Sequence, residues 1–169
     1  SAASDVYKRQ VQELSSTRIT RILDSIGFPS ALRSIESGTK QVISQAITTN
    51  VLSGIRACEL AENGQFFIGR TGNATFRNRA YKYTNSSATT SQATFNNSGS
   101  DLPYQDVSLS FDDNEVINSY SWTRTGGSTQ FVADADSITR YTAINSTQAT
   151  VNINDSDVLS VIQQKLSET

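Results

Sequence analysis

About 44 Ser and Thr and about 23 Asn and Gln make roughly two-fifths of this 169-residue chain polar but uncharged, where apolar residues alone ordinarily reach about half. Core-forming side chains are correspondingly scarce, with hydrophobic residues at 36% and charged ones at 18%. Any buried surface must therefore be built from narrow helix stripes and alternate strand positions. The length still suits one domain large enough to bury a core. Such a profile is typical of β-rich extracellular or virion surfaces, and also of disordered tracts. Apolar runs reach at most about four or five residues, far short of the ~20 that a spanning helix needs. No apolar stretch of signal-peptide length follows a charged start.

The missing residue types exclude whole classes of chemistry. No His is present, so Ser-His-Asp, Cys-His and His-based zinc sites are out. Cys58 is the single cysteine, which removes internal disulfides and thiolate metal clusters. Fourteen basic residues against 16 acidic ones give a net charge of -2 with no clustered basic face, so no nucleic-acid partner is expected. Carboxylate acid/base work, oxygen-ligated hard metals, or no chemistry at all remain. No cofactor is expected.

Periodicity supplies the elements. Ile19, Ile22, Leu23 and Ile26 lie at i, i+3, i+4, i+7 and predict a helix over 18–26, capped by Ser16 or Thr17 and stopped by Gly27 and Pro29. Alternation predicts a strand over 41–47. Thr48 or Thr49 would cap a helix over 50–62 with Val51, Leu52, Ile55 and Cys58 on one face, ended by a left-handed Gly64. Segments 65–68 and 74–79 flank a Gly-rich turn and read as a hairpin. The polar stretch between Tyr83 and Asp101 reads as a loop with one short strand near Phe95. Strands follow at 105–111 and 116–124 around the turn Asp112–Glu115, then at 128–132 after Gly126-Gly127. A short helix over 134–141, a strand over 148–153 and a final helix capped by Asp155, with Val158, Leu159, Ile162 and Leu166 on one side, complete the chain. Hairpin signals dominate, so the expected class is α+β with a mainly antiparallel sheet and three or four short helices. The expected organisation is a subdomain at 11–83, a polar surface loop at 84–101, and a β-rich subdomain at 102–169.

Each candidate site has a plainer structural competitor. Asp112, Asp113, Asn114 and Glu115 could hold calcium, yet they lack EF-hand spacing, and Asp and Asn are ordinary turn residues. Asp134 and Asp136 could form an acid/base pair, but acidic residues at a helix start serve capping and the dipole. Cys58 falls on an apolar helix face and reads as a small buried hydrophobe. Tyr104, Tyr120, Trp122 and Phe131 could form an aromatic platform for sugars, although strand aromatics mostly pack the sheet. Arg18 and Arg21 read as a solvated helix face. The Asn-x-Ser/Thr triplets at Asn73, Asn85, Asn96, Asn145 and Asn154 follow from abundant Ser and Thr. No catalytic, cofactor or metal residue is assigned from the sequence.

Two resemblances bear on function. Ser1–Gln10 resembles the in-frame translation of a transposon sequencing adapter, with Asp5–Gln10 reading back as GAT GTG TAT AAG AGA CAG. Those ten residues are excluded from fold reasoning, and the chain is expected to be a fragment of a larger protein. The second covers about Arg18 to Leu166 in order. Arg18-Ile-Thr-Arg-Ile-Leu-Asp-Ser-Ile-Gly-Phe-Pro29 resembles a motif of minor tail proteins from long-tailed bacteriophages. Leu102-Pro-Tyr-Gln-Asp-Val-Ser-Leu-Ser-Phe-Asp-Asp-Asn-Glu-Val-Ile-Asn118 is similar to that family's strand, acidic turn and strand. Thr123-Arg-Thr-Gly-Gly and Ala133–Tyr141 follow, and Asn50–Arg79 matches in layout. The pattern departs after Tyr141, where the family carries Gly and then basic residues and this chain has Thr142-Ala143.

The resemblance implies a non-enzymatic component of the tail tip or baseplate hub, with small β-barrel-like elements. Its partners would be other tail proteins and further copies of itself in the virion. The competing expectation is a receptor- or carbohydrate-binding module that holds a host-surface glycan with Tyr120 or Trp122.

Overall fold

The structure is a computed structural model that describes residues 12–43, 50–108, 110 and 116–168. In chain order its elements are β1 (Glu13–Leu14), α1 (Ser15–Ser25), a 3-10 turn (Ser30–Leu32), β2 (Arg33–Ile35), β3 (Gln41–Val42) and α2 (Val51–Glu62). There follow β4 (Gln65–Ile68), β5 (Ala74–Arg77), α3 (Tyr81–Thr84), α4 (Ser86–Thr89), β6 (Ser119–Arg124), β7 (Thr129–Ala133), α5 (Ala135–Tyr141), β8 (Asn145–Thr150) and α6 (Asp155–Leu166). These elements form an α+β fold. Two compact units result: Ser1–Arg79 with Ile117–Thr169, and Ala80–Val116.

In the first unit β1 pairs antiparallel with β3. β5 lies between a parallel β2 and an antiparallel β4. β6 lies between an antiparallel β7 and a parallel β8, in register from Ser119↔Asn145 to Arg124↔Thr150. Antiparallel pairing leads but does not dominate. Among the described residues all three sheets are open, so the barrel-like elements expected from the sequence are not formed.

Two apolar clusters hold this unit. Ile19, Ile22 and Leu23 of α1 pack with Ile55 and Cys58 of α2 and with Phe66, Ala74 and Phe76 of the β4–β5 hairpin. Tyr120 and Trp122 of β6 pack with Val158, Val161 and Ile162 of α6, and Leu60 of α2 leans on this second cluster. One helix thus serves both, with Ile55 and Cys58 toward one cluster and Leu60 toward the other. Asn152 donates from Nδ2 to the Ala61 carbonyl at 2.9 Å, Arg79 Nη1 to Ser160 Oγ at 2.9 Å, and Lys40 Nζ to Asp157 Oδ1 at 2.8 Å. These ties join chain regions about a hundred residues apart into one unit. The expected separation of 11–83 from 102–169 is accordingly not how the compact units divide.

Several local expectations are corrected by tertiary contacts. Leu14 occupies the N-cap of α1 without a side-chain cap, because Ser16 Oγ is drawn off to accept from Gly38 N at 2.9 Å. Asn50 caps α2, its side chain accepting from Ser53 N at 3.1 Å; Thr48, Thr49 and the strand expected beyond Ile43 lie outside the described residues. At the end of α2 it is Asn63, at φ 56°, that takes the left-handed turn. Gly64 serves close approach instead, since a Cβ there would meet the Arg77 carbonyl at 2.7 Å. Leu52 points to solvent. Asn154, not Asp155, is the N-cap of α6, because Asp155 accepts from Arg124 Nε at 2.6 Å.

The unit Ala80–Val116 contains α3, α4 and an isolated parallel bridge between Phe95 and Leu102. Asn85 caps α4 by accepting from Ser87 N at 2.9 Å. Residues 105–108 form no strand, and none of the described residues in this unit is buried. Leu109 and Phe111, with the rest of that expected strand, lie outside the described residues.

Candidate functional site

The sheet β7-β6-β8 sorts its side chains by parity, as a pleated strand must. Tyr120 and Trp122 turn inward to α6, their rings edge to face at 6.0 Å. Ser119, Ser121 and Thr123 therefore point the other way. Their ladder partners on that side are Ala133, Phe131 and Thr129 of β7, and Asn145, Thr147 and Ala149 of β8. The outcome is a three-by-three face without a single charge. Thr123 and Thr129 hydroxyls meet at 2.8 Å, and Ser121 Oγ donates to Asn145 Oδ1 at 3.2 Å. Phe131 stands on this face 60% exposed. Hydroxyls already bonded to one another, as here, carry a smaller desolvation penalty than free ones, their small side chains let another surface approach closely, and an exposed aromatic supplies an anchor.

Sequence-derived candidates fall elsewhere. Tyr120 and Trp122 are core residues, which removes the sugar platform that needed either of them in a groove. Asp134 accepts from Asp136 N and Ser137 N, each at 3.0 Å, as the N-cap of α5. It borders a cleft of about 620 Å³ together with Val132, Asp136, Gln163 and Leu166, and its Oδ1 takes both of the cap bonds from the helix. Asp112, Asp113, Asn114 and Glu115 lie outside the described residues. Among the described residues no group of three or more Asp, Glu, His or Cys converges as a metal site, and no helix is long and apolar enough to cross a membrane. Cys58 is fully buried, and burial pushes its thiol up to about 12.

Arg18 and Arg21 are not a solvated face. Arg18 is buried, donating from Nε to Glu13 Oε1 at 2.7 Å and from Nη2 to the Ile43 carbonyl. Arg21 reaches the same carboxylate, with Nη2 to Oε1 at 2.5 Å and Nε to Oε2 at 3.2 Å. Burial alone would raise the Glu13 pKa, but the bonds from Arg21 and Arg18 prevail and hold it below its ordinary value. This cluster borders a second cleft of about 590 Å³ beside α1.

Sequence reasoning passed over Glu62. It is fully buried and accepts from Ser15 Oγ, Thr39 N, Thr39 Oγ1 and Lys40 N at 2.7 to 2.8 Å. A signal was present, since Glu62 stands seven residues after Ile55 on the stripe that holds Cys58. Asn118 was passed over too; its side chain clamps the chain after α5, donating to the Thr142 carbonyl at 2.7 Å and accepting from Ile144 N at 2.8 Å.

No protein-family model matches the chain, and no curated protein matches it.

Proposed function

We propose that this chain is a structural component of a bacteriophage tail, a minor tail protein of the tip or baseplate hub, working by subunit assembly rather than catalysis. The observation that carries the reading is the uncharged outer face of β7-β6-β8 with Phe131 exposed at its rim. Interface cores are depleted in charge and use aromatic anchors, and this face shares those two features: no charged side chain and one exposed aromatic, Phe131. The ordered sequence resemblance from Arg18 to Leu166 supplies the setting, a virion. Asp134 and Glu13, one beside each cleft, support the non-catalytic side of the proposal, because Asp134 Oδ1 caps a helix N-terminus and Glu13 is bound by two arginines.

Mass spectrometry of purified tailed particles from a culture carrying the gene tests this. Peptides of this chain are expected to sediment with intact tails and to persist through high-salt washing. Recovery solely from the particle-free fraction would overturn the reading.

A further inference from the structure

We propose that the open edge of β7 is the seat of a two-fold contact, at which β7 of a second copy of the chain pairs antiparallel about Phe131. The inference deepens the assembly reading, on whose uncharged face it rests, by naming one partner and its register. Among the described residues β7 is the outermost strand of its sheet, with β6 as its single neighbour. The ladder decides which of its backbone groups are left over. Asp134 N donates to the Asn118 carbonyl at 2.9 Å, and bonded and non-bonded pairs alternate along an antiparallel ladder. Counting from that bond along the register, Tyr120 with Val132 and Trp122 with Gln130 are bonded pairs. Ser119 with Ala133, Ser121 with Phe131 and Thr123 with Thr129 are not. The far side of β6 agrees, because Ser119 N and, just past the strand, Thr125 N donate to the Ile144 and Thr150 carbonyls instead. Thr129, Phe131 and Ala133 therefore turn their amides and carbonyls out of the sheet edge, and all three residues are exposed.

Natural proteins blunt such edges with Lys, Pro, a bulge or a cover. β7 reads Thr-Gln-Phe-Val-Ala and pairs with β6 without interruption, so it carries none of the first three. An extended backbone fits these groups, since it presents a donor and an acceptor at every second residue. Symmetry selects the second copy. The outward-turned residues are centred on Phe131, so a two-fold axis there sets Phe131 opposite Phe131 and Thr129 opposite Ala133, and every outward amide meets a carbonyl. Phe131 stands 60% exposed on the uncharged face. The axis brings the two rings together as a cross-strand aromatic pair, with Cα atoms about 5.5 Å apart. The same register sets Asp134 against Ser128 of the other copy, so no carboxylate faces its own symmetry mate. Both copies use the same patch, as a closed dimer requires.

Sedimentation equilibrium of the full chain between about 1 and 100 µM tests the pairing. The wild type is expected at twice its 18.4 kDa mass at the upper concentration. Phe131→Lys and Phe131→Glu each set like charges across the axis and should weaken the dimer about tenfold or more. An equimolar mixture of the two should associate about threefold more tightly than either alone, because opposite charges then face each other. Thr147→Lys puts a charge on the same sheet face but on β8, and should leave the dimer intact. Both positions are exposed, so the environment of Trp122, read by near-ultraviolet circular dichroism, should stay unchanged in all three variants. A monomeric wild type at the upper concentration overturns the pairing. So does undiminished dimerisation of Phe131→Lys, a mixture no tighter than its components, or loss of the dimer in Thr147→Lys. A monomer whose peptides still sediment with tails would sink this inference alone, whereas a dimer absent from tails would sink only the virion assignment.

Discussion

Glu62 shows how one side chain can organise a region. Its carboxylate sits at the end of α2 and gathers four donors from Ser15, Thr39 and Lys40. That grip holds the 38–40 turn against the start of α1, and Gly38 has no room for a Cβ beside the Ser15 hydroxyl. Removing the acceptor strands buried donors, so Glu62→Ala should lose about 3 kcal/mol of stability or more in urea unfolding, and Glu62→Gln about half of that. Equal stability for the alanine variant would dismiss the clamp. Glu13 acts through charge. Because its folded pKa is depressed by Arg21 and Arg18, its contribution is present above about 4.5, the ordinary value, and is lost as pH falls through the lower folded value. Stability measured from pH 6 downward should decline over that acid window, and Glu13→Gln should flatten the decline. A variant with the parent's slope would show that other carboxylates carry it.

Elements are placed by their neighbours as much as by their own propensities. α5 ends at Thr142, a β-branched residue at φ 66°, a region that only glycine enters without strain. The Asn118 clamp on the Thr142 carbonyl and Ile144 amide fixes that turn so that β8 can align with β6. Gly is the residue that the backbone favours at this place. Thr142→Gly keeps the backbone carbonyl and relieves the strain, so it should stabilise by about 1 kcal/mol, raising Tm by about 2–4 °C. A lower Tm would mean that the threonine side chain earns its strained place.

At the scale of the whole molecule, the first unit carries two apolar clusters and one cooperative joint between them. α2 contributes to both, and Asn152, Lys40 and Arg79 tie the early region to the late one. Trp122 reports on one cluster and Cys58 on the other. Tryptophan fluorescence and thiol labelling should therefore share one urea midpoint, with Cys58 unreactive below it. Two separated midpoints would show the clusters to be independent domains. None of the described residues of Ala80–Val116 is buried, so unfolding of that unit should leave both signals in place.

The longer helices were legible in the sequence because their information is local, whereas the four-residue α3 and α4 fall where a loop was expected. Ile19, Ile22 and Leu23 declare α1 by spacing, and Val158 and Ile162 declare α6 in the same way. The β4–β5 hairpin and the turn at Gly126 were legible for the same reason, since turn chemistry acts over about four residues. The hydroxyl- and amide-rich composition also announced polar outer surfaces. Other features depended on partners distant in sequence. Ser16 reads as a cap until Gly38 claims it, Arg18 as solvated until Glu13 and the Ile43 carbonyl surround it, and Trp122 as a platform until α6 covers it. Sequence spacing determined which residues share a stripe or a strand face. Tertiary structure decided which faces are buried, because burial depends on what packs opposite, and for Glu62 those partners lie more than twenty residues away in the chain.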